Sequence, residues 1–187
     1  MRPLVILDRD GVLNEDSDAF IKSPQEWIPI AGAAAAVARL NQAGFDVYVA
    51  TNQSGIARGY YSLDTLSDIH KKMCAIAADA GAHFDGITFC PHGPDAQCGC
   101  RKPLPGLLDQ IAVLRGAPVA GGWMVGDTLR DLQAGVARGC RPALVRTGKG
   151  QRTLDKGLPA EFADTPVFDD LPAFVDWLLR DAAGTSV

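Results

Sequence analysis

The sequence opens without a long hydrophobic run: Leu4–Leu7 is apolar, and Asp8 ends it after four residues. A signal peptide or membrane span needs several times that length, so a cytoplasmic location and no membrane partner are expected. Charge of one sign is also scarce. Eighteen Lys+Arg against 22 Asp+Glu give a net charge of −4, with no run of like charge beyond a few residues. This argues against a broad footprint for nucleic acid or anionic lipid. The 7 Phe, 3 Tyr and 3 Trp are spread thinly, which leaves no aromatic platform for stacking bases. No internal repeat, linker or low-complexity block divides the chain, so residues 1–187 are expected to form a single domain. A chain of this length buries enough apolar surface to hold its own core, so a metal here would serve a local purpose.

What is present alternates. Short, nearly all-apolar runs at Leu4–Leu7, Asp46–Ala50, Gly86–Phe89, Gly122–Val125, Ala143–Val145 and Val167–Phe168 are separated by helical patterns. Such runs suit strands covered on both faces, because a sheet with one wet face would alternate polar and apolar residues. Ala33–Ala43 is Ala-rich and stops at Gly44, while Ser62 can cap a helix bearing Leu63, Leu66, Ile69, Met73 and Ile76. Leu107, Leu108, Ile111 and Leu114 repeat the pattern, as do Leu171, Phe174, Val175, Leu178 and Leu179. The expectation is a three-layer α/β/α sandwich on a mainly parallel, Rossmann-like sheet, with a frayed tail at Ala182–Val187.

In such sheets ligands bind beyond the carboxyl ends of the strands. Four polar segments qualify: Asp8-Arg9-Asp10-Gly11, Thr51-Asn52-Gln53-Ser54-Gly55, Arg101-Lys102-Pro103, and Gly126-Asp127-Thr128-Leu129-Arg130-Asp131. Carboxylates at Asp8 and Asp10 can share one opening where the chain bends at Gly11, and their repulsion is relieved by a divalent ion. Hard oxygen donors without a nearby imidazole favour magnesium. Taken alone, Asp8-Arg9-Asp10 is equally a turn cap or a surface ion pair.

Three of the five cysteines crowd between Cys90 and Cys100, in a chain where disulfides are not expected. Cys90, His92, Cys98 and Cys100 offer four soft or borderline ligands in a loop rich in Gly and Pro, which suits a closed, structural zinc site; accidental free thiols are the alternative. Tethering this loop would fix Arg101 and Lys102, which follow it directly. Cys74 and Cys140 read as small buried residues, His70 and His83 as ordinary boundary histidines, and Arg146–Gly150 as a surface loop.

The order of D-x-D-G, Thr, Lys and G-D-x-x-x-D along an α/β pattern resembles the haloacid dehalogenase superfamily of phosphotransferases, over roughly Leu4 to Val145. The stretches LDRDGVLNEDSDAF, ATNQSGIARG, CPHGPDAQCGCRKPLPG and VGDTLRDLQAG resemble a narrower branch, the heptose 1,7-bisphosphate 7-phosphatases and the related histidinol-phosphate phosphatases. The resemblance implies that Asp8 is a nucleophile and Asp10 a general acid and base. It implies that Thr51 and Lys102 hold phosphoryl oxygens, and that Asp127 binds magnesium with Asp8 and the Asp10 carbonyl, Asp131 orienting the loop. It further implies substrate contacts from Asp16, Ser17, Asp18 and Ala19, from Asn52, Gln53 and Ser54, and from Arg101 as a fork for a second phosphate. Arg9 and Arg130 read as local ion-pair partners of these acids. Thr128 departs from the branch, some members of which carry Lys there. No segment is long enough for a cap domain, so a capless site roofed by Asn14–Trp27, Gln53–Tyr61 and Cys90–Arg101 is expected. The implied activity is magnesium-dependent removal of the 7-phosphate of a heptose bisphosphate, in the making of lipopolysaccharide precursors, by a monomer. Histidinol phosphate is the alternative substrate, and a non-enzymatic zinc-loop binding module the distant alternative.

Overall fold

The computed structural model describes residues 2–184, with side chains to Arg180. Six strands form one sheet in the order β3-β2-β1-β4-β5-β6: β1 Leu4–Leu7, β2 Asp46–Asn52, β3 Gly86–Cys90, β4 Trp123–Gly126, β5 Arg141–Val145 and β6 Val167–Phe168. All five pairings are parallel, with Leu7 of β1 opposite Val49 of β2 and Val125 of β4. The chain builds outward from β1 to one side, returns, and builds to the other, and this reversal opens a crevice at the carboxyl ends of β1 and β4.

Both sheet faces are covered, which is why the strands read as continuous apolar runs. Val5 and Leu7 pack into a core shared with α1 (Ala33–Gln42), α2 (Leu63–Asp79) and α6 (Leu171–Gly184); Leu4 and Ile6 point into the opposite core, against α3 (Gly106–Arg115) and α4 (Leu129–Val136). The three-layer sandwich is therefore as the sequence implies. Ser62 caps α2 by accepting from the Thr65 N–H at 3.1 Å, and α1 ends just before Gly44, whose φ is +85°. The short α5 (Gly150–Asp155) was not foreshadowed, being a polar single turn and a half with no apolar period.

Several local expectations change. Helix α2 buries Leu66, Ile69, Met73 and Ala77, so Leu63 is left 55% exposed and Cys74, one position off that stripe, is exposed rather than buried. Leu114 likewise faces out from α3. Cys140 is buried as expected. Strand β2 continues through Thr51 and Asn52, and β3 through Cys90, so the first cysteine of the crowded loop sits on a strand end. Helix α6 is still regular at Gly184, where fraying was expected from Ala182; residues 185–187 lie outside the described ones. Among the described residues no helix is long and apolar enough to cross a membrane.

Candidate active site

A cavity of about 190 Å³ opens at the crevice, its floor made by Asp8, Asp10, Lys102, Asp127 and Asp131. Asp8 follows β1 directly, and its N–H donates to the Val125 carbonyl at 2.9 Å, which ties it to β4. Lys102 reaches in from the far side and is 1% exposed. Its ammonium stands 3.0 Å from Asp8 and 2.6 Å from Asp131, and donates to the Ala50 carbonyl at 2.7 Å. All three donors of the ammonium are thereby used. The Asn52 amide grips the Lys102 backbone at both ends, accepting from its N–H and donating to its carbonyl, each at 3.0 Å. Asp131 also accepts from the Thr128 N–H and hydroxyl at 2.9 and 2.7 Å, closing a capping box at the start of α4.

Asp10 faces a different set of partners. The wholly buried Arg9 guanidinium donates to it at 2.9 and 3.0 Å, Asn14 at 2.9 Å and Gln53 at 2.8 Å. Burial alone would raise the Asp10 carboxyl, but Arg9 and these hydrogen bonds together hold it below its ordinary value. The Gln53 amide is fully committed: its nitrogen donates to Asp10 and Thr51, and its oxygen accepts from Arg9 and Tyr61. Thr51 accepts from Gln53, so its own hydroxyl proton remains available to an oxygen acceptor. Arg9 also reaches His70 Nε2 at 3.3 Å.

Ligand atoms of Asp8, Asp127 and Asp131 lie within 4.8 Å of one another. Burial, then Lys102 against Asp131 and Asp10, leave Asp8 pushed up to about 7, and burial with Asp131 and Asp8 raises Asp127 well above the ordinary carboxylate range. Three carboxylates against one ammonium leave two uncompensated negative charges, the charge of one divalent cation. Asp131 is spent on Lys102 and Thr128, so Asp8 and Asp127 are the side chains free to hold such an ion, while Asp10, engaged elsewhere, has only its carbonyl to offer. An all-oxygen donor set suits magnesium. Two glycines make room for it. A Cβ on Gly11 (φ +83°) would stand 2.1 Å from Asp127 Oδ2, and one on Gly148 (φ +59°) 2.3 Å from the same atom.

At the end of β3, Cys90 Sγ lies 3.5 Å from His92 Nδ1 and 3.9 Å from Cys98 Sγ, and His92 Nδ1 lies 3.3 Å from Cys100 Sγ. Four donors at roughly 2.1–2.3 Å around a tetrahedral zinc would be about 3.4–3.8 Å apart. The tetrad fits that ion, and burial pushes the Cys90 thiol up to about 12, so its thiolate needs a cation beside it at neutral pH.

Of the segments foreseen as substrate contacts, Asp16, Ser17, Asp18, Asn52, Gln53, Ser54 and Arg101 line the cavity; Ala19 and Thr51 do not. Ala19 faces the outer side of its loop, and Thr51 lies beneath Gln53, 1% exposed. Arg9 pairs with Asp10, but Arg130 pairs with no acid among the described residues. The Arg146–Gly150 segment is a wall of the site and not a free surface loop. The Lys149 N–H donates to Asp127 Oδ2 at 2.7 Å, its ammonium pairs with Asp16 at 2.6 Å, and the Thr147 hydroxyl donates to the Gly11 carbonyl at 2.6 Å. The signal was there, since this segment also follows a strand end, that of β5. His70 acts through Arg9 and carries no motif, and Tyr61, which lines the cavity and donates to Gln53, carries none either.

A nucleophile-sized carboxylate, a second one two residues on, a buried Lys and an acidic pair past a later strand define the class: a phosphatase of the haloacid dehalogenase type, a hydrolase of phosphoric monoesters. The HAD-hydrolase-like family model matches residues 99–174. A D-glycero-beta-D-manno-heptose-1,7-bisphosphate 7-phosphatase of Pseudomonas putida is 53% identical over 176 residues, covering 94% of this chain and 99% of the relative. The crystal structure of the D,D-heptose 1,7-bisphosphate phosphatase of Bordetella bronchiseptica, complexed with magnesium and phosphate, superposes with a TM-score of 0.90 at 52% identity, over 96% of this chain and 99% of that one. Its counterpart from Burkholderia thailandensis gives 0.73 at 44% identity, over 95% and 99%. This chain belongs to the family of heptose-1,7-bisphosphate 7-phosphatases.

Proposed function

We propose that the chain, acting as a single-domain cytoplasmic monomer, removes the 7-phosphate of D-glycero-D-manno-heptose 1,7-bisphosphate on the way to ADP-heptose. The observation that carries this reading is the Asp8–Lys102–Asp131 chain of contacts beside Asp127, with Asp10 at i+2. The Asp8 carboxylate oxygen attacks phosphorus as the bond to the sugar oxygen breaks, and Asp10 delivers a proton to that leaving oxygen. The incoming phosphoryl group is a like charge beside Asp10 and raises its affinity for the proton it must give. Water then attacks phosphorus, Asp10 takes its proton, and the bond to Asp8 breaks. Once the Asp8 oxygen bonds to phosphorus, the Lys102 donor that faced it is free for a phosphoryl oxygen, and the free hydroxyl proton of Thr51, just beneath the cavity lining, is a second donor, where charge builds up in the transition state. Magnesium, held by Asp8, Asp127 and the Asp10 carbonyl, supplies the matching positive charge when bound. Zinc on Cys90, His92, Cys98 and Cys100 is structural and fixes Arg101 and Lys102.

Arg101 and Arg130 line the cavity with no acidic partner among the described residues, which favours a bisphosphate over histidinol phosphate, a substrate that brings its own ammonium. The test is phosphate release from both substrates with and without magnesium. Magnesium-dependent turnover with the higher kcat/KM on the heptose bisphosphate is expected. The reverse preference would overturn the substrate, and full activity in Asp8→Asn would exclude the covalent step.

A further inference from the structure

Tyr61 lines the catalytic cavity yet is only 8% exposed, and its ring occupies the space beside Gly55, where a Cβ would stand 2.2 Å from Tyr61 Cε1. Its hydroxyl donates to Gln53 Oε1 at 2.6 Å. The chemistry at the other end of that amide fixes the direction of this bond. Asp10 Oδ2 lies 2.8 Å away, and a carboxylate oxygen only accepts, so the amide nitrogen faces Asp10 and Thr51 while the amide oxygen faces Tyr61. Burial pushes the phenol up to about 12, so this donor keeps its proton at neutral pH. Arg9 Nη2 also donates to Oε1, but at 3.3 Å and with both Asp10 oxygens already on the same nitrogen. Tyr61 therefore has the shorter and less divided hold on Gln53.

Turned end for end, the amide would present its oxygen to Asp10 and Thr51. While Asp10 is charged, oxygen against oxygen opposes that turn. Once Asp10 carries the proton that it gives to the leaving oxygen, the opposition is gone, and a turned amide would accept from both the Asp10 and the Thr51 hydroxyls and draw them off the substrate. We infer that Tyr61 is a positioning residue, whose hydroxyl keeps the Gln53 amide with its donors toward Asp10 and Thr51, so that both protons stay directed at the reacting phosphoryl ester. The inference rests on the general-acid role of Asp10 given above, and adds to it a residue that acts through Gln53.

The experiment measures kcat/KM on the heptose bisphosphate and on p-nitrophenyl phosphate, whose leaving group departs as a stable anion and needs no proton, in wild type, Tyr61→Phe, Gln53→Leu and the double variant. Tyr61→Phe is expected to lower kcat/KM on the sugar phosphate by roughly tenfold, and on the aryl phosphate by about threefold or less. In the Gln53→Leu background the same substitution should cost nothing further, because the group it orients is gone. A side chain that only filled space would lower both substrates alike and would add its cost to that of Gln53→Leu. An equal fall on the two substrates, or a Tyr61→Phe cost undiminished in the Gln53→Leu background, would overturn this inference alone. An Asp10→Asn protein that loses no more on the sugar phosphate than on the aryl phosphate would overturn the general-acid reading and this inference with it.

Discussion

Asp131 holds Lys102 in a desolvated ion pair: 2.6 Å separates them, and each side chain is 1% exposed. An ammonium buried this deeply keeps its charge only through Asp131 and Asp8, which more than offset the lowering by burial. Asp131 thus acts through Lys102 and through the Thr128 cap, its carboxylate oxygens spent on them at the cavity floor.

Asp131→Asn keeps the shape and removes the charge. Breaking one side of a buried pair costs about 3 kcal/mol or more, and Lys102 would retain Asp8 as its one charged partner, beside the Ala50 carbonyl and a neutral amide oxygen. The expected outcome is a lower urea midpoint together with a kcat reduced by at least roughly tenfold. Unchanged kcat in a folded variant would remove Asp131 from the positioning of Lys102.

Asp8→Asn separates stability from activity. Burial and the neighbouring carboxylates penalise the Asp8 charge in the absence of a cation. In magnesium-free buffer the variant should melt a few degrees higher than the wild type, at roughly 2–4 °C for each kcal/mol of repulsion relieved, and gain less from added magnesium. Activity should fall by at least about a thousandfold, because an amide is a poor nucleophile. A variant that melts lower would show that the Lys102 contact outweighs the repulsion.

The parts of this architecture that could be read from the chain are those in which one residue acts with its own side chain at a strand end. Asp8, Asp10 and Asp127 follow all-apolar runs, and those runs are legible because both sheet faces are covered. Lys149 was hidden because its contact with Asp127 is made by a backbone N–H, which any residue carries. His70 looked ordinary on an amphipathic helix, since nothing local announces that Arg9 reaches it across 61 residues. Cys74 reads as buried by residue type, but the helical angle separating it from Met73 turns it to the surface.

A side chain on either Gly11 or Gly148 would meet the same oxygen of Asp127. Gly11→Ala must move either the turn or that carboxylate, and the positive φ adds strain of its own. A magnesium titration of activity should show half-activation shifted upward by roughly tenfold. An unmoved midpoint would mean that the turn yields and Asp127 keeps its place, and an unmoved midpoint in Asp127→Asn as well would remove Asp127 from the metal site.

Chelation tests the cysteine loop. Removing zinc leaves Cys90 buried with nothing to stabilise its thiolate, and frees the segment that carries Arg101 and Lys102. A lower melting temperature is expected, with faster amide exchange at residues 90–102 and one zinc per chain in protein purified without chelator. Protein free of zinc, with full activity and unchanged exchange, would reduce the tetrad to four adjacent soft side chains.

The last prediction concerns acid. Guanidinium groups only donate, so His70 Nε2, at 3.3 Å from Arg9 Nη1, must accept, and the imidazole is neutral. Burial first, and Arg9 second, push its pKa down from 6.5 to about 4. The folded value lies below the unfolded one, so the unfolded chain binds the extra proton between them. The stability His70 contributes is therefore whole above about pH 6.5 and drains away as the pH falls towards 4. Over that range the loss amounts to about 3 kcal/mol, of which about 2 kcal/mol falls between pH 7 and pH 5. Gln in place of His keeps an acceptor and does not titrate, so His70→Gln should lose about 2 kcal/mol less than wild type across that interval in urea unfolding. Parallel curves for the two proteins would mean that His70 takes up its proton equally in the folded and unfolded chain, and that Arg9 is held by Asp10 and Gln53 alone.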